Sequence, residues 1–478
     1  MPFRNTPWML FFLLLTVSPV GLARLTVRPA LAEQAKSASE SDAIEKTDQA
    51  PEQAGDEKYY QLLELFADTL DQVERNYVKK LDRRELMEAA IQGVLSKLDP
   101  YSNYIPPEEM ERFKSGVESE FGGIGIQISI DRGQLTIISP LVGTPAYRAG
   151  VLAGDRIIKI EGEDSQGITI SQAVGKLKGK VGTKVTFTVL HAHDSSEETV
   201  TLTRELVRVD TVMGQRRKQD DSWDYMYDHE KKIGLIRVTA FSRLTASDLR
   251  GALTQLKEQG IRGLVLDLRF NPGGLLTSAV EVSDLFISKG LIVTTKGRNT
   301  AEQPRQAHQE GTLEGFPMAV LINHYSASAS EIVSACLQDH KRAVIIGERS
   351  WGKGSVQNIV TLEGGRSALK LTTASYHRPS GKNIHRFSGA KDDDDWGVRP
   401  NENYQVKLSE EETHQLLIQR RQQYIVTAKK NAPAKKEEAG KLPLVDHQLQ
   451  KALQYLAQKL GDDQSKEELV KDEKEGKR

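Results

Sequence analysis

Two spacings of apolar residues alternate along the chain. Tyr59, Leu63, Phe66, Leu70, Val73 and Tyr77 recur at steps of 4, 3, 4, 3 and 4, which predicts a helix with one apolar stripe. Such a stripe can pack on its own chain or on a second subunit. A second helix is predicted near Arg83 to Leu98, closed by the turn Leu98-Asp99-Pro100-Tyr101. From Phe121 the pattern changes to short strands, with turns at Asp131-Arg132-Gly133 and Val142-Gly143-Thr144-Pro145 and a helix from Ile170 to Leu177. Ile233–Thr239 and Leu264–Leu268 then read as buried strands around an amphipathic helix, Ala246–Glu258, that Gly260 terminates. Asn271-Pro272-Gly273-Gly274 leads into a helix from Leu276 to Phe286. Two more buried strands follow, Met318–Ile322 and Ala343–Ile346, with a strand at Ala368–Ala374 after them. Leu449, Leu453, Leu456 and Leu460 form a last helical stripe, able to dock on the core or on a partner. This alternation predicts an α/β core with an inserted β domain and helical segments at both ends.

The ends change the picture in one respect. Arg4, the apolar run Trp8–Val17 and the small residues after it read as a secretory signal, with Gly21-Leu22-Ala23 or Ala30-Leu31-Ala32 as cleavage sites. An exported protein is expected, in a periplasm or another extracytoplasmic space. The alternative is a retained membrane anchor, although the run is shorter than the ~20 residues that span a bilayer. No cysteine follows the run, which argues against a lipoprotein. Ala35–Asp56 and Ala428–Lys441 read as flexible linkers, and Gly461–Arg478 as disordered. With 65 basic and 66 acidic residues the net charge is −1, and 38% of residues are hydrophobic. That balance excludes a multi-span membrane protein and gives no basic field for nucleic acid. The single cysteine, Cys336, cannot form an internal disulfide and is read as a small buried hydrophobe.

Candidate chemistry concentrates between Pro317 and Gln357. Small residues in Ser326-Ala327-Ser328-Ala329-Ser330-Glu331 leave backbone N–H groups uncovered at a helix start, where they favour negative charge. A hydroxyl on that turn would lie beside an oxyanion hole. Ser328 to Glu331 also fits a capping box, which needs no chemistry. Lys353, between Gly352 and Gly354, changes the balance: a desolvated lysine loses pKa until its amine acts as a base, and Ser with neutral Lys is a variant of the serine-protease triad. Gly347–Lys353 also matches seven positions of a phosphate-binding loop, but Gly354 stands where that loop needs Ser or Thr. His191, His193 and Asp194 offer metal-ligand types without an evident third ligand, so a solvated turn is expected and no metal or other cofactor. His377 and His385 are read as surface or positioning residues.

Together, SASASEI (Ser326–Ile332), GKGSVQ (Gly352–Gln357) and DLRFNPGG (Asp267–Gly274) resemble the signatures of the C-terminal processing peptidases, or tail-specific proteases, across roughly residues 58–460. The resemblance implies a crotonase-like (ClpP/crotonase-type) serine protease core. It implies Ser328 as nucleophile, Lys353 as base and Gln357 orienting the lysine, with Gly273 or Gly274 and Ala329 as oxyanion donors. The stretch from Phe121 resembles a PDZ domain, whose turn Gly123-Ile124-Gly125-Ile126 would hold a peptide's terminal carboxylate. Where the family often carries an arginine, this chain has Lys178, so no bidentate role transfers there. The expected division is 1–32 signal, 33–56 linker, 57–115 helical region, 116–205 PDZ domain, 206–405 protease core and 406–478 helical region with a charged tail. Expected partners are protein substrates with apolar C-terminal tails, an activator or adaptor protein, and further copies of the chain. The rival reading is a catalytically silent PDZ peptide-binding scaffold.

Overall fold

A computed structural model describes residues 52–299, 301–424 and 445–475. The signal and most of both linkers therefore lie outside the described residues. The core is a sheet whose strands Ile233–Val238, Gly263–Asp267, Met318–Ile322 and Val344–Gly347 run parallel in that order. Their side chains are buried on both faces, which explains why they read as continuous apolar runs instead of alternating ones. Helices Thr245–Glu258, Leu276–Asp284 and Ala329–Asp339 cover one face, through Leu249, Leu253, Val282, Ile332 and Leu337. The other face packs on helix His447–Glu475 through Ala452, Leu456 and Leu460. The C-terminal stripe thus docks on the core. That helix also continues to Glu475, which corrects the expectation of disorder from Gly461. The segment beyond that glycine is rich in Lys and Glu, good helix formers, and contains no proline.

A second, antiparallel sheet is centred on the long strand Ser367–His377, which pairs with Ser355–Leu362, Gly290–Gly297 and, from the N-terminal region, Asn103–Ile105. The inserted β unit is built from Ile126–Asp131, Gln134–Pro140, Arg156–Ile160, Lys184–Leu190 and Glu197–Thr203, with the helix Ile170–Leu177 as expected. It has its own core, including Ile124, Ile137, Ile157, Phe187 and Val189. Glu120–Gly123 pairs antiparallel with Glu205–Arg208, so the chain enters and leaves the unit through one two-stranded stalk.

Helix Glu52–Asn76 begins inside the stretch read as linker. Helix Arg83–Leu95 is capped by Asp82, whose side chain accepts the N–H groups of Arg84 and Glu85. The first helix leaves Tyr59 58%, Leu63 45% and Phe66 43% exposed. Its apolar stripe is therefore uncovered in the single chain.

Candidate active site

Three loops converge beyond the ends of the parallel strands, and hydrogen bonds tie them together. Ser326 Oγ donates to the Leu268 carbonyl (2.8 Å), and the Ala327 N–H and Ser330 Oγ both donate to the Asn271 carbonyl (3.1 and 2.9 Å). The Trp351 N–H donates to the Ser326 carbonyl (2.9 Å). The serine turn is thereby joined to DLRFNPGG on one side and to the lysine loop on the other. Ser328 sits at φ 55°, ψ −113°, a conformation that L residues rarely adopt. A strained strand-to-helix turn of this kind lifts a serine clear of the helix it starts. Gly273, at φ 103°, lies against it: a methyl there would meet the Ala327 carbonyl at 2.5 Å and the Ala329 nitrogen at 2.8 Å, so only glycine fits.

Glu331 does more than cap. Its fully buried carboxylate accepts the N–H of Ser328 (2.8 Å), Gly352 (2.6 Å) and Lys353 (2.8 Å), and also the Ser350 hydroxyl. One side chain therefore holds the serine turn and the lysine loop in register. Burial pushes its pKa up, with these donors opposing the shift. Its own N–H donates to the Ser328 backbone carbonyl at 2.8 Å, and the Tyr376 phenol hydrogen-bonds the Ser328 side chain.

Lys353 is 8% exposed. Burial pulls its pKa down to about 8, with Glu331 and Asp99 opposing. Gly354 makes the burial geometrically feasible, because a methyl there would lie 2.3 Å from the His385 backbone nitrogen. The lysine is followed by the strand Ser355–Leu362. A phosphate-binding loop would open a helix there, so that reading fails on structure as well as sequence. The Gln357 Nε2 donates to the hydroxyls of Ser355 (2.8 Å) and Thr372 (3.2 Å). A second lysine, Lys370, is 2% exposed on the neighbouring strand, and burial together with the charge of Lys353 pulls its pKa down to about 7.

Sequence reasoning missed Lys370, Tyr376 and the bridging role of Glu331. For Lys370 a signal existed, since it alternates with Ala368 at the buried start of its strand. Tyr376 and Glu331 gain their roles only through contacts across the fold.

Comparisons with known proteins give the family. Residues 232–401 match the model of peptidase family S41, residues 136–190 that of the PDZ domain, and residues 21–109 that of the N-terminal domain of the activating protease CtpB. The carboxy-terminal-processing protease of Bartonella bacilliformis is 41% identical over 330 residues, 68% of this chain and 73% of the relative. The chain belongs to the carboxy-terminal-processing proteases. CtpA of Bacillus subtilis is 34% identical over 70% of this chain and 68% of its own length. The carboxyl-terminal-processing protease of Synechocystis is 36% identical over 65% and 71%.

In this protease the PDZ residues singled out by sequence come together. Gly123, Ile124, Gly125 and Ile126 line a small open cavity of about 50 Å³ with Phe121, Ile128, Val174, Leu177 and Lys178. The Lys178 ammonium stands 3.8 Å from the centre of the Phe121 ring. The edge strand Ile126–Asp131 supplies Ile126 and Ile128, the helix Ile170–Leu177 supplies Val174 and Leu177, and the stretch from Phe121 to Gly125 forms the turn between them.

Of the two readings left open for His385, surface or positioning, its place fits the second: it is half-buried against the lysine loop, and burial lowers its pKa. His191 has the third neighbour that its own stretch of sequence lacked: Asp155 Oδ2 lies 3.0 Å from Nδ1, with Glu198 Oε2 3.1 Å from Nε2. His193 completes a group able to hold a cation. Both oxygens of the buried Asp155 already accept backbone N–H groups, from Leu152 and Ala192. From Ala192 to Glu197 the turn is exposed, as a solvated turn would be, and only His191 is half-buried against Asp155. Cys336 is fully buried and its thiol pKa is pushed up to about 12 by burial, as expected of an inert core residue.

Proposed function

We propose that the chain is an exported serine endopeptidase that recognises the C-terminal tails of protein substrates through its PDZ domain and cleaves them with a Ser328–Lys353 dyad. The observation that carries this reading is the buried, pKa-lowered Lys353 tied through Glu331 to the strained turn of Ser328. Neutral Lys353 takes the hydroxyl proton as Ser328 attacks the peptide carbonyl. The protonated lysine then gives that proton to the leaving amine, and water hydrolyses the acyl-enzyme. Gln357, held through Nε2 by Ser355 and Thr372, orients the lysine amine.

Ala329 and Gly274 are the proposed oxyanion donors. The Gly273 N–H already donates to Asn271 Oδ1 at 2.8 Å, which favours Gly274 of the two glycines. Each donor contributes roughly 10²–10³ in rate. The parallel sheet with its flanking helices supports a crotonase-like core over 206–405, and the stalk at 120–123 and 205–208 supports a PDZ domain over 116–205. Helical regions at 57–115 and 406–478 complete the division. No helix among the described residues is long and apolar enough to cross a membrane. Export, with the amino-terminal segment cleaved or kept as an anchor, rests on the apolar run Trp8–Val17. The uncovered stripe of Tyr59, Leu63 and Phe66 supports self-association, and the match to the N-terminal domain of an activating protease supports a role in activation.

The test is cleavage of a loosely folded reporter ending in an apolar tail, by the wild type, Ser328→Ala and Lys353→Ala. Loss of cleavage in both variants, with folding and tail binding kept, is the expected result. Full cleavage by Ser328→Ala would overturn the dyad, and tail binding without cleavage by any form would favour the scaffold.

A further inference from the structure

The turn Leu98–Ser102 enters the site from a side that no motif predicted. Asp99 Oδ1 accepts the N–H groups of Tyr101 (2.7 Å) and Ser102 (2.8 Å), and Oδ2 accepts the Ser102 hydroxyl (2.8 Å). Ser102 Oγ in turn accepts the N–H of Thr372 at 3.0 Å. Thr372 is the residue whose hydroxyl accepts from Gln357, so the turn is two hydrogen bonds from the residue that orients the lysine. The Tyr101 ring centre lies 5.0 Å from Lys353 Nζ, and the Tyr101 hydroxyl accepts from the Trp351 indole at 3.4 Å. Just downstream, Asn103–Ile105 pairs with Ala368–Lys370, which clamps the turn onto the sheet that carries the second lysine.

The charges make this arrangement specific. The titratable groups around Lys353 are Glu331 from its helix, Lys370 and Tyr376 from the strand Ser367–His377, His385 from the loop against Gly354, and Asp99 with Tyr101 from the turn. Glu331, which accepts three N–H groups and a hydroxyl, acts on Lys353 ahead of Asp99, but it is not among the charges acting on Lys370. Asp99 is the carboxylate that acts on both buried lysines.

We propose that Asp99, Tyr101 and Ser102 form a positioning element of the active site, in which Asp99 is the counter-charge of the Lys353–Lys370 pair and Tyr101 caps the Lys353 ammonium. This inference rests on Lys353 being the base. It gives the N-terminal helical region a direct part in catalysis, because the turn that ends its second helix completes the surroundings of the lysine.

The experiment uses the full chain with Asp99→Asn and follows kcat/KM for the tail-bearing reporter against pH. Asparagine keeps a carbonyl for the N–H groups of Tyr101 and Ser102, so the turn persists while the charge is lost. Asp99 favours the ammonium form of Lys353, and its loss lets the amine deprotonate more readily. The acid limb of Asp99→Asn is therefore expected to move to lower pH by roughly one unit, with an unchanged unfolding temperature. Tyr101→Ala is expected to lower kcat more than it changes KM, and Tyr101→Phe, which keeps the ring, to restore kcat. An unshifted limb in Asp99→Asn, with Lys353→Ala inactive, would overturn the proposal alone. Activity retained in Lys353→Ala would instead remove the reading beneath it.

Discussion

In the proposed reading Lys353 is the residue on which the chemistry turns, because a lysine can serve as base at neutral pH only where water is kept from its ammonium. With its pKa near 8, the protonated, inactive form dominates below that pH and the free amine above it. The expected kcat/KM profile therefore rises about tenfold per pH unit on the acid side and levels off above roughly pH 8. A profile flat across that limb would contradict a lysine base. Glu331 makes a second prediction at this scale. Glu331→Ala leaves the N–H groups of Ser328, Gly352 and Lys353 without their acceptor, at roughly 1–3 kcal/mol for each buried group. Urea unfolding should register a loss of several kcal/mol together with lost activity, and full stability in that variant would mean that the carboxylate is not the staple described. The sequence carried Ser328 and Lys353 plainly, since a small-residue turn and a glycine-flanked lysine are local patterns. It also named Glu331, but only as the far end of a capping box. That the same carboxylate reaches across to the lysine loop is a long-range contact that no local spacing encodes.

At the scale of elements, the loop after the strand Gly263–Asp267 is anchored from beneath by buried charge. Asp267 is bonded by Arg269 and Arg420 and lies 3.7 Å from Arg237, while Arg269 also binds Asp446. Burial alone would push the Asp267 pKa up, yet the charges of Arg269 and Arg420 hold it well below the ordinary carboxylate range. Arg420 belongs to the helix Glu410–Tyr424, and Asp446 directly precedes the last helix. The C-terminal region thus fixes the strand end from which the proposed oxyanion loop departs. Arg420→Ala removes one partner of a buried ion pair and is expected to cost roughly 3–5 kcal/mol in a denaturant titration. A change below about 1 kcal/mol would show that the network tolerates the loss. Helix and strand positions were largely legible, because continuous apolar runs and 3–4 spacings survive in any context. The partner of each stripe was not. Leu456 and the exposed Leu63 lie on similar patterns, and only the uncovered far face of the parallel sheet decides that Leu456 is buried.

For the whole molecule, the PDZ unit is joined to the peptidase region by a two-stranded stalk, and the proposed function assigns substrate selection to the first and hydrolysis to the second. Narrowing the PDZ cavity with Val174→Phe should raise KM for a tail-bearing reporter about tenfold and leave kcat for a short tailless ester unchanged, as steady-state kinetics would show. An equal effect on both substrates would mean that the cavity does not read the tail. Phe66→Asp places a charge on the uncovered stripe and is expected to lower the mass measured by light scattering. The change from helices to short strands at Phe121 could be read from turn chemistry, whereas the approach of Asp99 and Tyr101 to Lys353 depends on a contact across 270 residues, the hydrogen bond from the Thr372 N–H to the Ser102 hydroxyl. The central claim is covalent catalysis by Ser328, and acid-quenching the protein during turnover of an activated ester, followed by peptide mass mapping, tests it most directly. An acyl adduct on the peptide that contains Ser328, absent from Ser328→Ala, is the predicted result, and an adduct on any other residue would contradict the account.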